Sequence, residues 1–295
     1  MFIGYNIIDF ISTYSDESIC QNYLAQIKWK DSFTCVKCGN ASWCRVAQTH
    51  DRKCNKCKHI ESPTTGTHFH KVKFRLPKAF LFVFLLSTSK KGISSYELAR
   101  RLSLRQTTWY FFKRKVMKAM KIEDPKLLEG KVDVDEFFAG GPQIGKRGRS
   151  KGKKKKVVMG IEMKKKGIVR CYAKHINGAG SKELKPFFQK YISKQTFVRA
   201  DKWRGYSPLK NLFPWLKQEK SMPKNNFRLF HRQVMMLKAW LKGVHHHAKH
   251  TQPYLDEFTW RFNNRNNPNL FGILISWMMN LKPTFIKDLN FSWGS

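Results

Sequence analysis

The stretch Lys131-Val-Asp-Val-Asp-Glu-Phe-Phe-Ala-Gly-Gly141 decides how the chain reads. Its alternation predicts a strand over 131–138. The period of two puts Asp133 and Asp135 on one face and Val132 and Val134 on the other. Acids inside a strand are disfavoured unless they bind something. Working outward, 157–163 and 168–173 read as further strands, 183–192 as a helix and 196–200 as a fourth strand. Helical patterns follow at 232–242, 253–262 and 270–280. Three strands, a helix, a strand and then helices predict an α/β domain with a mixed sheet. Toward the N-terminus, 1–30 reads as helical, with Asp16 capping a helix over 17–27. Residues 31–62 are cysteine-rich and polar, and 70–121 reads as helical, with Pro77 at a helix start and a break at Asp124-Pro125. The expected organisation is 1–66, 67–125, 126–265 and 266–295.

The charge balance narrows the partner. Lys and Arg number 57 against 20 Asp and Glu, a net charge of +37, and so basic a chain calls for a polyanion. With 41% hydrophobic residues, 295 residues can build an ordered core, which excludes a disordered basic tail. The N-terminus has no basic segment of a secretory leader. The longest apolar run, 79–86, is far short of the roughly 20 residues of a membrane span. The expectation is a soluble, cytoplasmic nucleic-acid protein with no membrane partner and no small-molecule substrate.

Seven cysteines, an odd number, argue against a closed disulfide framework. Cys35-Val-Lys-Cys38 and Cys54-Asn-Lys-Cys57 lie fifteen residues apart, and two such knuckles supply the four thiolates of a tetrahedral structural zinc site. Gly39 suits the positive φ that a knuckle turn requires. A ribbon with so little core depends on its metal for folding. Spacing does not decide whether it grips DNA or a partner protein.

Ser94-Ser95 can cap a helix through Leu102, with Ser103-Leu104 as a turn. A second helix over 105–120 then carries Arg105, Gln106, Thr107 and Thr108 at its N-terminal end. These groups reach base edges or phosphates in a helix-turn-helix. A plain helical hairpin is the alternative. The segment 146–156 holds eight cations in eleven residues: Lys146, Arg147, Arg149, Lys151, Lys153, Lys154, Lys155 and Lys156. It reads as a loop between the first two strands, either gripping a DNA backbone or simply solvated.

Asp201, just past the fourth strand, lies sixty-six residues beyond Asp135 and meets it if their strands are neighbours. Two carboxylates facing one point hold a pair of Mg²⁺ ions, the arrangement used for in-line phosphodiester chemistry. A third ligand is open between two residues. His231 lies thirty residues after Asp201, and Lys238 follows it by two helical turns on the same face. Its rival, Glu257, lies beside the apolar stripe Leu255, Phe258 and Phe262, and four residues before Arg261, an ordinary helix pair.

From about Cys20 to Asn267 the chain resembles transposases of bacterial insertion sequences related to the Merlin elements, which join a zinc ribbon to a DDE nuclease domain. Ser62-Pro-Thr-Thr-Gly-Thr-His-Phe and Ser89-Lys-Lys-Gly-Ile-Ser resemble that family's linker and helix-turn-helix start. Val134-Asp-Glu-Phe-Phe-Ala-Gly-Gly looks like its first aspartate segment, pointing to Asp135, and Ala200-Asp-Lys-Trp-Arg-Gly-Tyr like its second, pointing to Asp201. Leu237-Lys-Ala-Trp-Leu-Lys-Gly and Tyr254-Leu-Asp-Glu-Phe-Thr-Trp-Arg-Phe-Asn resemble its C-terminal signature. Where such enzymes typically place Glu, seven residues before a basic residue, this chain has His231 before Lys238, which favours His231 over Glu257. Histidine suits Mn²⁺ better than Mg²⁺.

The resemblance implies several things. The fold is RNase H-like, preceded by the zinc ribbon and helix-turn-helix. The activity is metal-dependent cleavage and strand transfer at terminal inverted repeats, run by a homodimer or larger synaptic complex on double-stranded DNA. The location is the nucleoid of a bacterium, or the nucleus for a eukaryotic element. The alternatives are a non-catalytic zinc-ribbon DNA-binding protein and a decayed, inactive transposase.

Overall fold

The computed structural model describes residues 3–4, 6–140, 154–165, 167–222, 226–244 and 250–289. In chain order these form α1 (Ile7–Thr13), α2 (Glu17–Lys28), β1 (Trp43–Arg45), β2 (Arg52–Cys54), β3 (Ile60–Glu61), α3 (Leu76–Thr88), α4 (Ser95–Leu102) and α5 (Gln106–Ala119). Next come β4 (Lys131–Ala139), β5 (Lys155–Lys164), β6 (Gly167–Ile176), α6 (Ser181–Tyr191) and β7 (Phe197–Ala200). A 3-10 helix (Arg204–Asn211), β8 (Leu216–Gln218), α7 (Arg228–Val244), α8 (Thr251–Asn264) and α9 (Leu270–Asn280) complete the order. They gather into two compact units, Lys121–Asn266 and a second in which Asn267–Ser295 joins Met1–Met120.

In the unit that holds the N-terminus, the helices start where the sequence supplies caps. The Asp16 carboxylate accepts the Ser18 amide ahead of α2, and the Ser94 hydroxyl accepts the Glu97 amide ahead of α4. Ser103, left-handed at φ 53°, ends α4 and turns the chain into α5. The core is aromatic: Phe10, Phe80 and Phe271 pack around Tyr14, and Phe82 stacks on Trp109 at 5.0 Å. Strands β1, β2 and β3 form a small antiparallel sheet that carries the cysteine pairs.

The second unit is built on a five-stranded sheet in the order β6-β5-β4-β7-β8. The first three strands are antiparallel, and β4-β7 and β7-β8 are parallel, so the sheet is mixed as the sequence predicts. Val132, Val134 and Val158 face a core with Leu184, Phe187, Phe188 and Tyr206. Ala139, Val157, Met159 and Ile161 face the opposite core, with Phe230, Val234 and Leu237 of α7 and Leu255 and Phe258 of α8. By alternation Asp133 and Asp135 lie on this α7 side.

Three expectations need correcting. The hairpin register runs on to Ala139↔Lys155, with Asp135 in mid-strand. Lys155 and Lys156 are strand residues rather than loop. Strand β8 was not anticipated, because three residues are too few for a periodic signal. Helix α7 begins at Arg228, which puts His231 one turn inside it instead of at its start.

Candidate active site

The β4–β7 register places the site. Asp133 is the direct neighbour of Arg199, and Val134 of Ala200. The next residues on, Asp135 and Asp201, therefore stand side by side where β7 gives out. Two rungs follow each other along one face.

The first rung is ionic. Arg199 donates through Nε to Asp133 Oδ1 and through Nη2 to Asp133 Oδ2, both at 2.8 Å, and Asp133 is fully buried. This bidentate pairing is the main cause that raises the Arg199 pKa. The guanidinium also lies 4.6 Å from the Phe227 ring and 3.9 Å from Glu219. The charge of Asp133 is thus already answered within the fold.

The second rung is not. Asp135 is 9% exposed, and among the described residues no cation pairs with it or with Asp201. Its Oδ1 accepts the Glu136 amide at 2.7 Å. Burial, then the negative charge of Glu136, with Asp201 adding to both, push the Asp135 carboxyl up to about 7. Glu136 was not anticipated as a site residue. It points to the other side of the sheet, where the Tyr206 hydroxyl donates to its Oε2 at 2.6 Å. Burial raises Glu136 as well, while Lys156 pulls it down. Tyr206 is fully buried beside the charges of Glu136, Asp135 and Asp201, and its pKa is driven well above 10, so it remains a proton donor. Both residues adjoin the aspartate motifs. Their link is visible only once the strand and the 3-10 helix are folded.

Asp201 is held by its flanking chain. Ser221 donates its amide to Asp201 Oδ1 at 2.9 Å, and Gln218 Nε2 donates to the Trp203 carbonyl at 2.9 Å. Trp203 Nε1 in turn donates to the Ala179 carbonyl at 2.8 Å. That carbonyl explains Gly205, since a Cβ there would sit 2.1 Å from the Ala179 oxygen.

Ser221 also reaches α7, its Oγ standing 3.0 Å from His231 Nε2. Burial lowers the His231 pKa, although Asp133 and Asp201 oppose it. Its imidazole is therefore neutral at pH 7, as a ligand must be. Two turns on, the Lys238 ammonium lies 5.4 Å from the Phe137 ring. Burial, and then the charge of Lys154, lower its pKa, so Lys154 and Lys238 bear on one region.

The structure thus brings Asp135, Asp201, His231, Lys238 and Lys154 to one end of the β4–β7 pair. Glu257 lies elsewhere, fully buried on α8 over β6, the sheet edge, with Arg261 donating to its Oε1 at 2.7 Å. The carboxylates and His231 do not close into one cluster. Among the described residues, the cysteines are the only group of three or more such ligand atoms within 4.8 Å of one another. Two crowded carboxylates without a counter-charge still fit a divalent cation.

In the ribbon, Cys35, Cys38, Cys54 and Cys57 converge, with Cys35–Cys57 and Cys38–Cys54 sulfur separations of 3.6 Å. The two knuckles turn alike: the Gly39 amide bonds to the Cys35 carbonyl and the Lys58 amide to the Cys54 carbonyl, with φ of 71° and 60°. Backbone N–H groups of Cys57 and Lys56 lower the Cys54 thiol. Four sulfur donors so spaced fit a tetrahedral metal ion.

At the second helix pair, Arg105 and Thr107 are exposed and Thr108 is half-buried. Gln106 is committed inward, donating to Ser95 Oγ at 2.8 Å. Lys146, Arg147, Arg149, Lys151 and Lys153 lie outside the described residues. Lys156 Nζ stands 5.2 Å from the Phe138 ring.

Residues 127–263 match the sequence family of the ISXO2-like transposase domain. A protein of the transposable element ISH50 of Halobacterium salinarum, itself uncharacterised, is 28% identical over 144 residues. The alignment covers 48% of this chain and 47% of that protein, so the chain spans about half the length of the curated relative it matches. A pre-cleavage Mos1 transpososome structure overlaps 65% of this chain and 76% of its own at 12% identity and a TM-score of 0.26, a likeness too slight to bear on the fold.

Proposed function

Taking residues 127–263 as an insertion-sequence transposase domain, we propose that the whole chain is a DDE-type transposase that cuts and rejoins DNA at the ends of its element. The observation that carries this is the like-charge rung, Asp135 beside Asp201, without a paired cation among the described residues in a chain of net charge +37. A fold that merely needed stability would place a Lys or Arg there, as it does two residues earlier at Arg199.

In this reading the mixed five-stranded sheet is RNase H-like, and Asp135, Asp201 and His231 hold two Mg²⁺ or Mn²⁺ ions. Such a pair, when bound, supplies the Lewis acidity for in-line attack on a phosphodiester, first by water and then by the freed 3′-hydroxyl. Glu136 and Tyr206 brace the β4 carboxylate from the far side of the sheet. Ser221 links Asp201 to His231, fixing the imidazole relative to the carboxylate. Lys238 and Lys154 converge to bind a phosphate beside the cleavage point. The zinc-bound ribbon and the α4–α5 pair bind the terminal repeats, with Arg105 and Thr107 as the exposed contacts. Two ends are brought together by a dimer or larger assembly.

The test is nicking of duplexes that carry the element's ends, in Mg²⁺ and in Mn²⁺. Asp135→Ala, Asp201→Ala and His231→Ala are expected to lose it, by roughly a hundredfold or more. Glu257→Gln is expected to retain it. Cleavage by Asp135→Ala or Asp201→Ala would sink the assignment. A dead but folded Glu257→Gln beside an active His231→Ala would move the third ligand to Glu257. End-specific binding with no cleavage in any metal would mark a binder without catalysis.

A further inference from the structure

One face of the ribbon sheet carries its own unanswered charge. Arg45 of β1 stands directly opposite Arg52 of β2. Like charges directly opposed on a strand pair are unfavourable. On the other ladder Arg52 faces Glu61, but that carboxylate is buried and engaged by Lys28 at 2.7 Å. Among the described residues, no carboxylate or carbonyl accepts a hydrogen bond from the Arg52 guanidinium.

The group is nevertheless fixed. Its guanidinium carbon lies 4.5 Å from the ring of Trp29, the buried residue that ends α2, and 3.8 Å from that of Trp43, which opens β1. Stacking uses a guanidinium's face and leaves its in-plane N–H edge free, and a fixed edge suits a pair of acceptors. The segment 35–60 adds Lys37, Lys53, Lys56 and Lys58 against a single acid, Asp51.

We propose that Arg52, aimed by Trp29 and Trp43 and flanked by Arg45, reads DNA by presenting its N–H edge to two acceptors on the duplex, guanine O6 and N7 or two phosphate oxygens. The proposal rests on the reading of the chain as a DNA-binding transposase and names a residue through which its ribbon engages DNA. Rigid aim distinguishes Arg52 from the surrounding lysines, which meet phosphate as mobile point charges.

The full-length, zinc-loaded chain is used to select duplexes from a randomised pool. Binding to the selected duplex and to a shuffled one is then measured over a salt series. Arg52→Lys keeps the charge but loses the planar fork, and is expected to weaken binding to the selected duplex roughly tenfold or more. If guanine is the target, the loss is confined to the selected duplex and one guanine drops out of the Arg52→Lys consensus. If phosphate is the target, both duplexes lose alike and the salt slope falls by about one. Zinc stoichiometry accompanies each variant. Should Arg52→Lys lose zinc, Arg45→Gln decides. It is expected to weaken DNA binding while slowing zinc release to a chelator, because it relieves the opposed charges. An arginine pair that served only the fold would leave binding unmoved.

Wild-type binding in Arg52→Lys and Arg45→Gln, each with full zinc, overturns the proposal. A wild-type chain that binds no duplex at all would instead overturn the functional reading beneath it.

Discussion

Two rungs of one strand pair, two residues apart on the same face, are completed in opposite ways. At Asp133–Arg199 the fold supplies a buried carboxylate with both hydrogen bonds of a guanidinium. At Asp135–Asp201 it sets acid beside acid, and burial first, then the charge of Glu136 with that of Asp201 added, raise the Asp135 carboxyl to about 7. The β4 carboxylates are both buried, Asp133 fully and Asp135 to within 9%, while their β7-side neighbours Arg199 and Asp201 are half-buried. The chief difference is one of partner: the first rung is finished by a guanidinium, and the second has no cation paired with it among the described residues.

Removing the acid of the first rung breaks the comparison most severely. Asp133→Ala leaves Arg199 half-answered in a buried setting, with only Glu219 at 3.9 Å. The expected loss is about 4 kcal/mol of stability at pH 7, read by urea unfolding. An unchanged midpoint would show that Glu219 and the Phe227 ring suffice for the guanidinium.

The second rung is expected to respond with the opposite sign. A carboxyl whose folded pKa is raised contributes stability that is fully present below its unfolded pKa, about 4, and is lost as pH rises through its folded value, about 7. Asp135→Asn removes that dependence. Without divalent metal it is expected to match the wild type at about pH 4 and to exceed it by about 2–3 kcal/mol at about pH 8, while losing cleavage. A stability gap that did not open between these pH values would mean that Asp135 is compensated in the free protein.

How far the sequence discloses these rungs follows from the range of the interactions involved. The period of two places Asp133 and Asp135 on a common face, because that relation is local to one strand. Which of them is paired depends on the β4–β7 register, where Arg199 arrives from sixty-six residues away. Glu136 and Tyr206 are hidden for a related reason: Glu136 lies next to Asp135 on β4 but faces the other side of the sheet, and its partner Tyr206 arrives from the 3-10 helix seventy residues on. The cysteine cluster of the ribbon is legible, because two short spacings and the Gly39 turn encode it locally, whereas its three strands of two or three residues and the matching turn at Lys58 carry no periodic signal. Strand β8 is the contrary case. Leu216–Gln218 becomes a strand only because β7 offers it an edge. Helix α7 was legible as a helix and as the carrier of His231 and Lys238, but the serine that ties it to Asp201 lies in no motif.

That serine gives the smallest and most discriminating change. Ser221→Ala keeps the amide that binds Asp201 Oδ1 and deletes only the hydroxyl 3.0 Å from His231 Nε2. One hydrogen bond of this kind is worth about 1 kcal/mol net, so unfolding should barely move. His231 senses Asp133 and Asp201 together, one acid from each rung, yet burial keeps it neutral. An imidazole so placed needs its ring orientation fixed if it serves as a ligand, and Ser221 is the group that fixes it. Ser221→Ala is therefore expected to lower nicking roughly tenfold, with a higher metal requirement, and Ser221→Thr to restore it. Full activity at wild-type metal concentration in Ser221→Ala, beside a dead His231→Ala, would show that α7 packing alone orients the ring. Full activity in both would remove His231 from the site and leave the Asp135–Asp201 rung to bind its cation without it.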